Sequence, residues 1–147
     1  MIIEFASVFD RDINRLKDEI ESFKQEKNLW LTTGAIKNSS GNLCLHLMGN
    51  LRTYIGKNMG NQGYVRDRDA EFNLKNVARQ DLVQQIEITR AVVGSTFANL
   101  KETSLKEFHI EEVLGYPMTN AFFLIHLTAH FSYHLGQINY LRRALES

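Results

Sequence analysis

Phe5, Phe9, Ile13, Leu16, Ile20 and Phe23 recur at steps of three and four residues, with Asp, Arg, Lys and Glu between them. That period puts the apolar side chains on one stripe of an α-helix and predicts a packing helix from Ile2 to about Gln25. A similar period returns three times. Leu43, Leu47, Leu51 and Tyr54 mark one side of a helix from Gly41 to Lys57, GNLCLHLMGNLRTYIGK. Leu82, Ile86, Val93, Phe97 and Leu100 mark another from Arg79 to Leu100, and a last helix runs from Thr119 or Asn120 to Leu145. The single proline, Pro117, leaves little punctuation for a turn-rich β fold. Four amphipathic helices with two long connections predict an all-α protein, a four-helix bundle. At 147 residues the chain fits one domain, residues 1–147.

The connections carry the remaining polar signals. Between Glu26 and Ser40 the chain reads as a loop, with Trp30 and Leu31 folding back onto the bundle. Asn38, Ser39 or Ser40 is placed to cap the next helix by accepting from free backbone N–H groups. From Asn58 to Val77 the sequence is rich in Gly, Asn and charge and shows no helical period. A connection of that length is often functional. Its run Arg66-Asp67-Arg68-Asp69-Ala70-Glu71-Phe72 is expected to bridge helix ends through ion pairs. Phe108, Ile110 and Val113 suggest a short hairpin or extended segment before Pro117, with His109 facing solvent. Gly136, inside the last helix, suggests a close backbone approach.

Composition narrows the function classes. Seventeen basic residues balance seventeen acidic ones, so charge does not point to nucleic acid or to an anionic membrane. No apolar run reaches the ~18 residues of a membrane span. Glu4 and Asp10 interrupt the N-terminus too early for a signal peptide. The lone Cys44 cannot form an intramolecular disulfide and favours a reducing compartment, so a cytoplasmic location is expected.

The chemistry concentrates in HLTAHFSYHLGQINYL, where His126, His130 and His134 fall four residues apart. On a helix each such step turns about 400°, so the three project from nearly one face. An i, i+4 pair of imidazoles can close on one metal ion. Facing helices build metal sites in bundle cores, and His46 is the residue placed to meet His130 and His134. Cys44, about 200° around the helix from His46, cannot share a ligand with it and reads as a packing residue. Three neutral imidazoles leave a position for water or substrate, and suit zinc, nickel, iron or manganese without choosing among them. The other reading is that these are core or surface histidines with satisfied nitrogens. Against it, Phe122, Phe123, Leu124 and Ile125 precede the run, and Leu127 and Phe131 interleave it; histidines on such a half-buried strip need partners.

LCLHLMGNLRTYIG together with HFSYHLGQI resembles the paired motifs of the DinB-like, or YfiT-like, superfamily of metal-binding bundles. RDRDAEF is similar to a segment in one uncharacterised branch of it, and the likeness runs from about Asn38 to Arg142. The resemblance implies an up-down-down-up bundle, often a homodimer, with a zinc or nickel ion on His46, His130 and His134. It also implies thiol S-transfer with a low-molecular-weight thiol in some members and hydrolysis in others, while many have no known activity.

His126 is expected to support a ligand or line the pocket, since His130 and His134 already supply the pair. Gln137 and Asn50 are placed to hold a ligand's second nitrogen, as such residues commonly do, or to make bundle hydrogen bonds. Tyr133 and Tyr64 are candidate pocket donors. The expected activity is metal-dependent transfer of a small thiol to an electrophile. There is no HExxH glutamate, so hydrolysis is less supported, although Glu71 or Asp69 could reach in from the long connection. The competing readings are a non-catalytic metal-binding or stress-related dimer, and a structural dimer with metal-free histidines. No residue is assigned a catalytic role, and no organic cofactor is expected.

Overall fold

The computed structural model describes residues 1–147 and contains five α-helices and no β-strand. The first is α1, Ile2–Ser22, which buries Phe5, Phe9, Ile13, Leu16 and Ile20 along the expected stripe. It stops earlier than the period suggests because Phe23 turns to an extended conformation and inserts into the core. The exposed amides past this end are collected from far away in sequence. Glu146 accepts from the Lys24 backbone N–H at 2.8 Å, from that of Gln25 at 3.2 Å, and from Asn28 Nδ2 at 2.9 Å.

A 3₁₀ turn over Glu26–Trp30 follows, burying Leu29. Trp30 folds back as expected and lays its indole over Gly41, where a Cβ would collide with the ring. Leu31 does not fold back: it is exposed, and Leu29 takes the buried place. Ser39 then caps α2, Ser40–Leu51, its hydroxyl accepting from the Asn42 N–H at 3.2 Å. The helix runs on as a π turn over Arg52–Lys57, close to the predicted end.

The long connection departs from expectation. Asp67 accepts from the Ala70 N–H at 3.0 Å and starts a short helix, α3, Arg68–Asn73. Six residues are too few to display a period, so only the capping aspartate announces it. The charged run does not bridge helix ends; it folds Glu71 inward. Next, α4, Arg79–Asn99, buries Leu82, Ile86, Val93 and Phe97 as predicted. The following connection forms a 3₁₀ turn over Glu102–Lys106 and a single β-bridge between Phe108 and Thr119, rather than a hairpin. Thr119 caps α5, Asn120–Leu145, its hydroxyl accepting from the Phe122 N–H at 3.2 Å. Gly136 has open space where its Cβ would be, so the expected close approach is absent.

The four long helices share one apolar core, α1 and α2 each packing on α4 and α5, while α3 rests on α2. Phe123, Phe131, Leu47 and Leu51 are among its fully buried members. Each contributes about 1.5–3 kcal/mol by leaving water. Arg142 donates to Glu19 at 2.8 Å, tying α5 to α1. This packed face fixes α5 against α2, the two elements that bear the site. No helix is long and apolar enough to cross a membrane.

Candidate metal centre

His46 projects from the middle of α2 and is 6% exposed. Opposite it, His130 and His134 stand one helical turn apart on α5. One nitrogen from each of the three lies within 4.8 Å of the others. Nε2 of His46 faces Nε2 of His130 at 3.1 Å. The rings meet nearly edge to face, at 70° for His46 and His130, 88° for His46 and His134, and 85° for His130 and His134. Such a group could hold a metal ion.

The outward nitrogens decide which inward ones carry lone pairs. Glu71 Oε1 lies 3.1 Å from His46 Nδ1, and a carboxylate can only accept, so Nδ1 donates to it and Nε2 is the nitrogen turned toward His130. Gln137 Oε1 lies 2.7 Å from His134 Nδ1 and imposes the same tautomer there. Gln137 thus sits on the second nitrogen of His134. The His130 Nδ1 is buried without a partner. Burial pushes the His130 pKa down to about 3, with His134, His46 and His126 adding to the effect. Burial also lowers the pKa of His134, against the Gln137 bond, which raises it. Both rings are therefore neutral at physiological pH, the state a ligand requires. Three convergent imidazole nitrogens, two of the rings held from behind by Glu71 and Gln137, fit a divalent ion.

Glu71 is the residue whose role the sequence reading missed. Its carboxylate is 6% exposed and takes two bonds from Arg66, Nε to Oε2 at 2.8 Å and Nη2 to Oε1 at 2.9 Å. Burial works to raise its pKa, but the bonds from His46 and Arg66 outweigh that and hold it below the ordinary carboxylate value. The carboxylate is thus an anion anchored between a histidine and an arginine. It reaches that depth because Gly49 of α2 presents no side chain.

The remaining candidates separate. Asn50 makes no hydrogen bond to a histidine; it lines a cavity beside the triad, with its Oδ1 buried and unpartnered. His126 lines the same cavity, its ring 6.3 Å from that of His130. Tyr133 sits edge-on to His134 but is 64% exposed and outside the cavity wall. Tyr64 stacks against the Arg52 guanidinium at 4.3 Å. Cys44 is fully buried, and burial pushes its thiol up to about 12, so it is inert packing. His109 is not solvent-facing. It is buried between Asn120 Oδ1 at 3.0 Å and Asn58 Nδ2 at 3.2 Å, against the Phe123 ring. Charged residues lie to either side in sequence, Lys106 and Glu107 before it and Glu111 and Glu112 after, but the Phe108–Thr119 bridge turns it inward.

An all-helical protein with a three-histidine cluster between two helices is the class these features define. The chain matches the family described as a protein of unknown function, DUF1572, over residues 4–147. It belongs to that family. No curated protein matches it.

Proposed function

We propose that this chain is a divalent-metal-dependent enzyme of the DinB-like superfamily that transfers a low-molecular-weight thiol to an electrophilic small molecule. The observation that carries the reading is the convergence of His46, His130 and His134, with ligand atoms within 4.8 Å of one another. Zinc or nickel is the preferred ion, and iron or manganese is compatible with the same donors. The long connection from Asn58 to Ala78 supports a crossover between parallel α2 and α4, hence an up-down-down-up bundle. Phe122, Ile125, Tyr133 and Tyr140 stand exposed on α5 and give a homodimer a surface to cover.

A bound divalent ion lowers the pKa of a thiol or water that reaches it. Glu71 and Gln137 orient the rings of His46 and His134, and the core holds α2 against α5 at fixed spacing. Glu71 is engaged by His46 and Arg66, and no carboxylate lines the cavity beside the triad. No carboxylate is therefore free there to act as a general base on water. That favours thiol transfer over hydrolysis.

Elemental analysis of protein purified without chelator or affinity-tag metal, alongside His130→Ala, tests the reading. A single ion per chain, lost in the variant, followed by turnover of an electrophile with a small thiol, would support it. Metal without turnover would make this a binding protein. Absence of metal after reconstitution would sink the proposal.

A further inference from the structure

We propose that the cavity beside the triad binds a small carboxylate carrying a hydrogen-bond donor, with Arg68 pairing the carboxylate and Asn50 accepting from the donor. The inference rests on the reading that chemistry occurs at the triad. The cavity has a volume of about 320 Å³ and is walled by His46 and His130 on one side and by Phe123 and Leu127 on another. That is the small end of the range for ligand sites.

Its lining contains two arginines and no acid. Arg66 is neutralised by Glu71 at 2.8 Å. Arg68 has no carboxylate partner and rests over the Phe72 ring at 5.8 Å. One solvent-exposed guanidinium without a carboxylate partner therefore lines the cavity, among polar as well as apolar side chains. The planar fork of a guanidinium matches the two oxygens of a carboxylate, and one free positive charge balances one negative charge.

Asn50 supplies the second observation. Its side chain is 6% exposed, lines this cavity, and leaves Oδ1 buried with no partner in the protein. A buried amide oxygen without a donor is unfavourable. An occupant that brings an N–H or O–H would satisfy that oxygen once the Asn50 amide turns about its last torsion to present it to the cavity. Leu127 and Phe123 then cover the carbon skeleton.

The probe is N-acetylglycine, which has a carboxylate and an N–H, set against its neutral twin N-acetylglycinamide. Both are titrated calorimetrically into the full chain, zinc-loaded and chelator-treated, with inorganic phosphate as a third ligand. The acid is expected to bind about tenfold or more tighter than the amide. Arg68→Gln should erase the preference, and Asn50→Leu should weaken both ligands alike while circular dichroism stays unchanged. If no variant or wild type holds zinc but the preference for the acid survives, the metal reading falls and the carboxylate site stands. Equal binding of acid and amide, binding of neither, or a preference indifferent to Arg68→Gln overturns the site. Phosphate binding tighter than the acid overturns the carboxylate assignment.

Discussion

A Cβ on Gly49 would overlap Oε2 of Glu71, so the carboxylate occupies the volume that a side chain on α2 would otherwise fill. Gly49 lies three residues after His46, on the same face of the helix. The gap lets α3 lower Glu71 to the imidazole, where Oε1 meets Nδ1 at 3.1 Å. The histidine cluster therefore depends on a backbone feature. One missing methyl group sets the depth of the carboxylate, and the carboxylate sets the tautomer of His46.

Gly49→Ala follows directly. Alanine is the better helix former by roughly 0.5–1 kcal/mol, but its Cβ would displace a buried carboxylate bonded to Arg66 and His46, so thermal stability should fall. Metal affinity should fall about 10–100-fold, the usual cost of losing such a supporting partner. Competition with a chromogenic chelator, beside a thermal melt, checks both. Unchanged affinity in a protein with an unchanged melt would remove Glu71 from the site.

Why Glu71 was hidden while His46 was not is a matter of scale. Phe5 through Phe23 repeats over five turns, and His130 and His134 share one helix, so their geometry follows from the pitch alone. The reach of His46 to them needed only two amphipathic helices packed face to face. Glu71 and Arg66 belong to a six-residue helix and its lead-in, whose position is fixed by contacts with α2 that no local period encodes. His109 was misplaced for the same reason. Its neighbours Phe108 and Ile110 are 70% and 77% exposed while it is buried, an alternation set by one bridge to Thr119.

Gln137→Ala removes the acceptor on His134 Nδ1, at 2.7 Å the shortest contact to any of the three rings. The ring gains rotational freedom and loses its fixed tautomer. Metal affinity should drop by about 10-fold or more, with helical content unchanged. Gln137→Glu keeps an acceptor and should restore much of the binding, which a general loss of packing would not allow. Failure of both variants to alter affinity would make this bond incidental.

His109→Ala tests a purely structural role. The ring joins Asn120 at the start of α5 to Asn58 just after the π turn, and packs on Phe123. Truncation removes the partners of Asn120 Oδ1 and Asn58 Nδ2 and opens space beside the aromatic ring. The expected loss is about 2–4 kcal/mol in chemical denaturation. Metal stoichiometry should stay at the wild-type value, because His109 is outside the triad. A loss of metal without a loss of stability would reverse that assignment.

Acid should destabilise the metal-free protein, and the sign follows from three histidines. Burial lowers the pKa of His109 against the raising effect of its bond to Asn120. Burial lowers His134 as well, and takes His130 to about 3 with help from its neighbouring imidazoles. In the unfolded chain all three protonate near the ordinary histidine value of about 6.5. Below that value the unfolded state binds more protons, so folding stability declines as pH falls toward each folded pKa. The contribution is complete above about 6.5, and for His130 the decline continues far into the acid range. Glu71 extends the same trend, because its lowered pKa stabilises the fold above the ordinary carboxylate value and is lost as pH drops through it. Melting of chelator-treated protein should therefore be nearly flat from about pH 8 to 7 and fall steadily below about pH 6.5. His130→Asn should flatten the slope, since asparagine carries no titrating ring. A melting temperature that holds constant or rises between about pH 7 and 5 would mean the histidines are hydrated in the folded protein and that their convergence is not a dry, neutral ligand set.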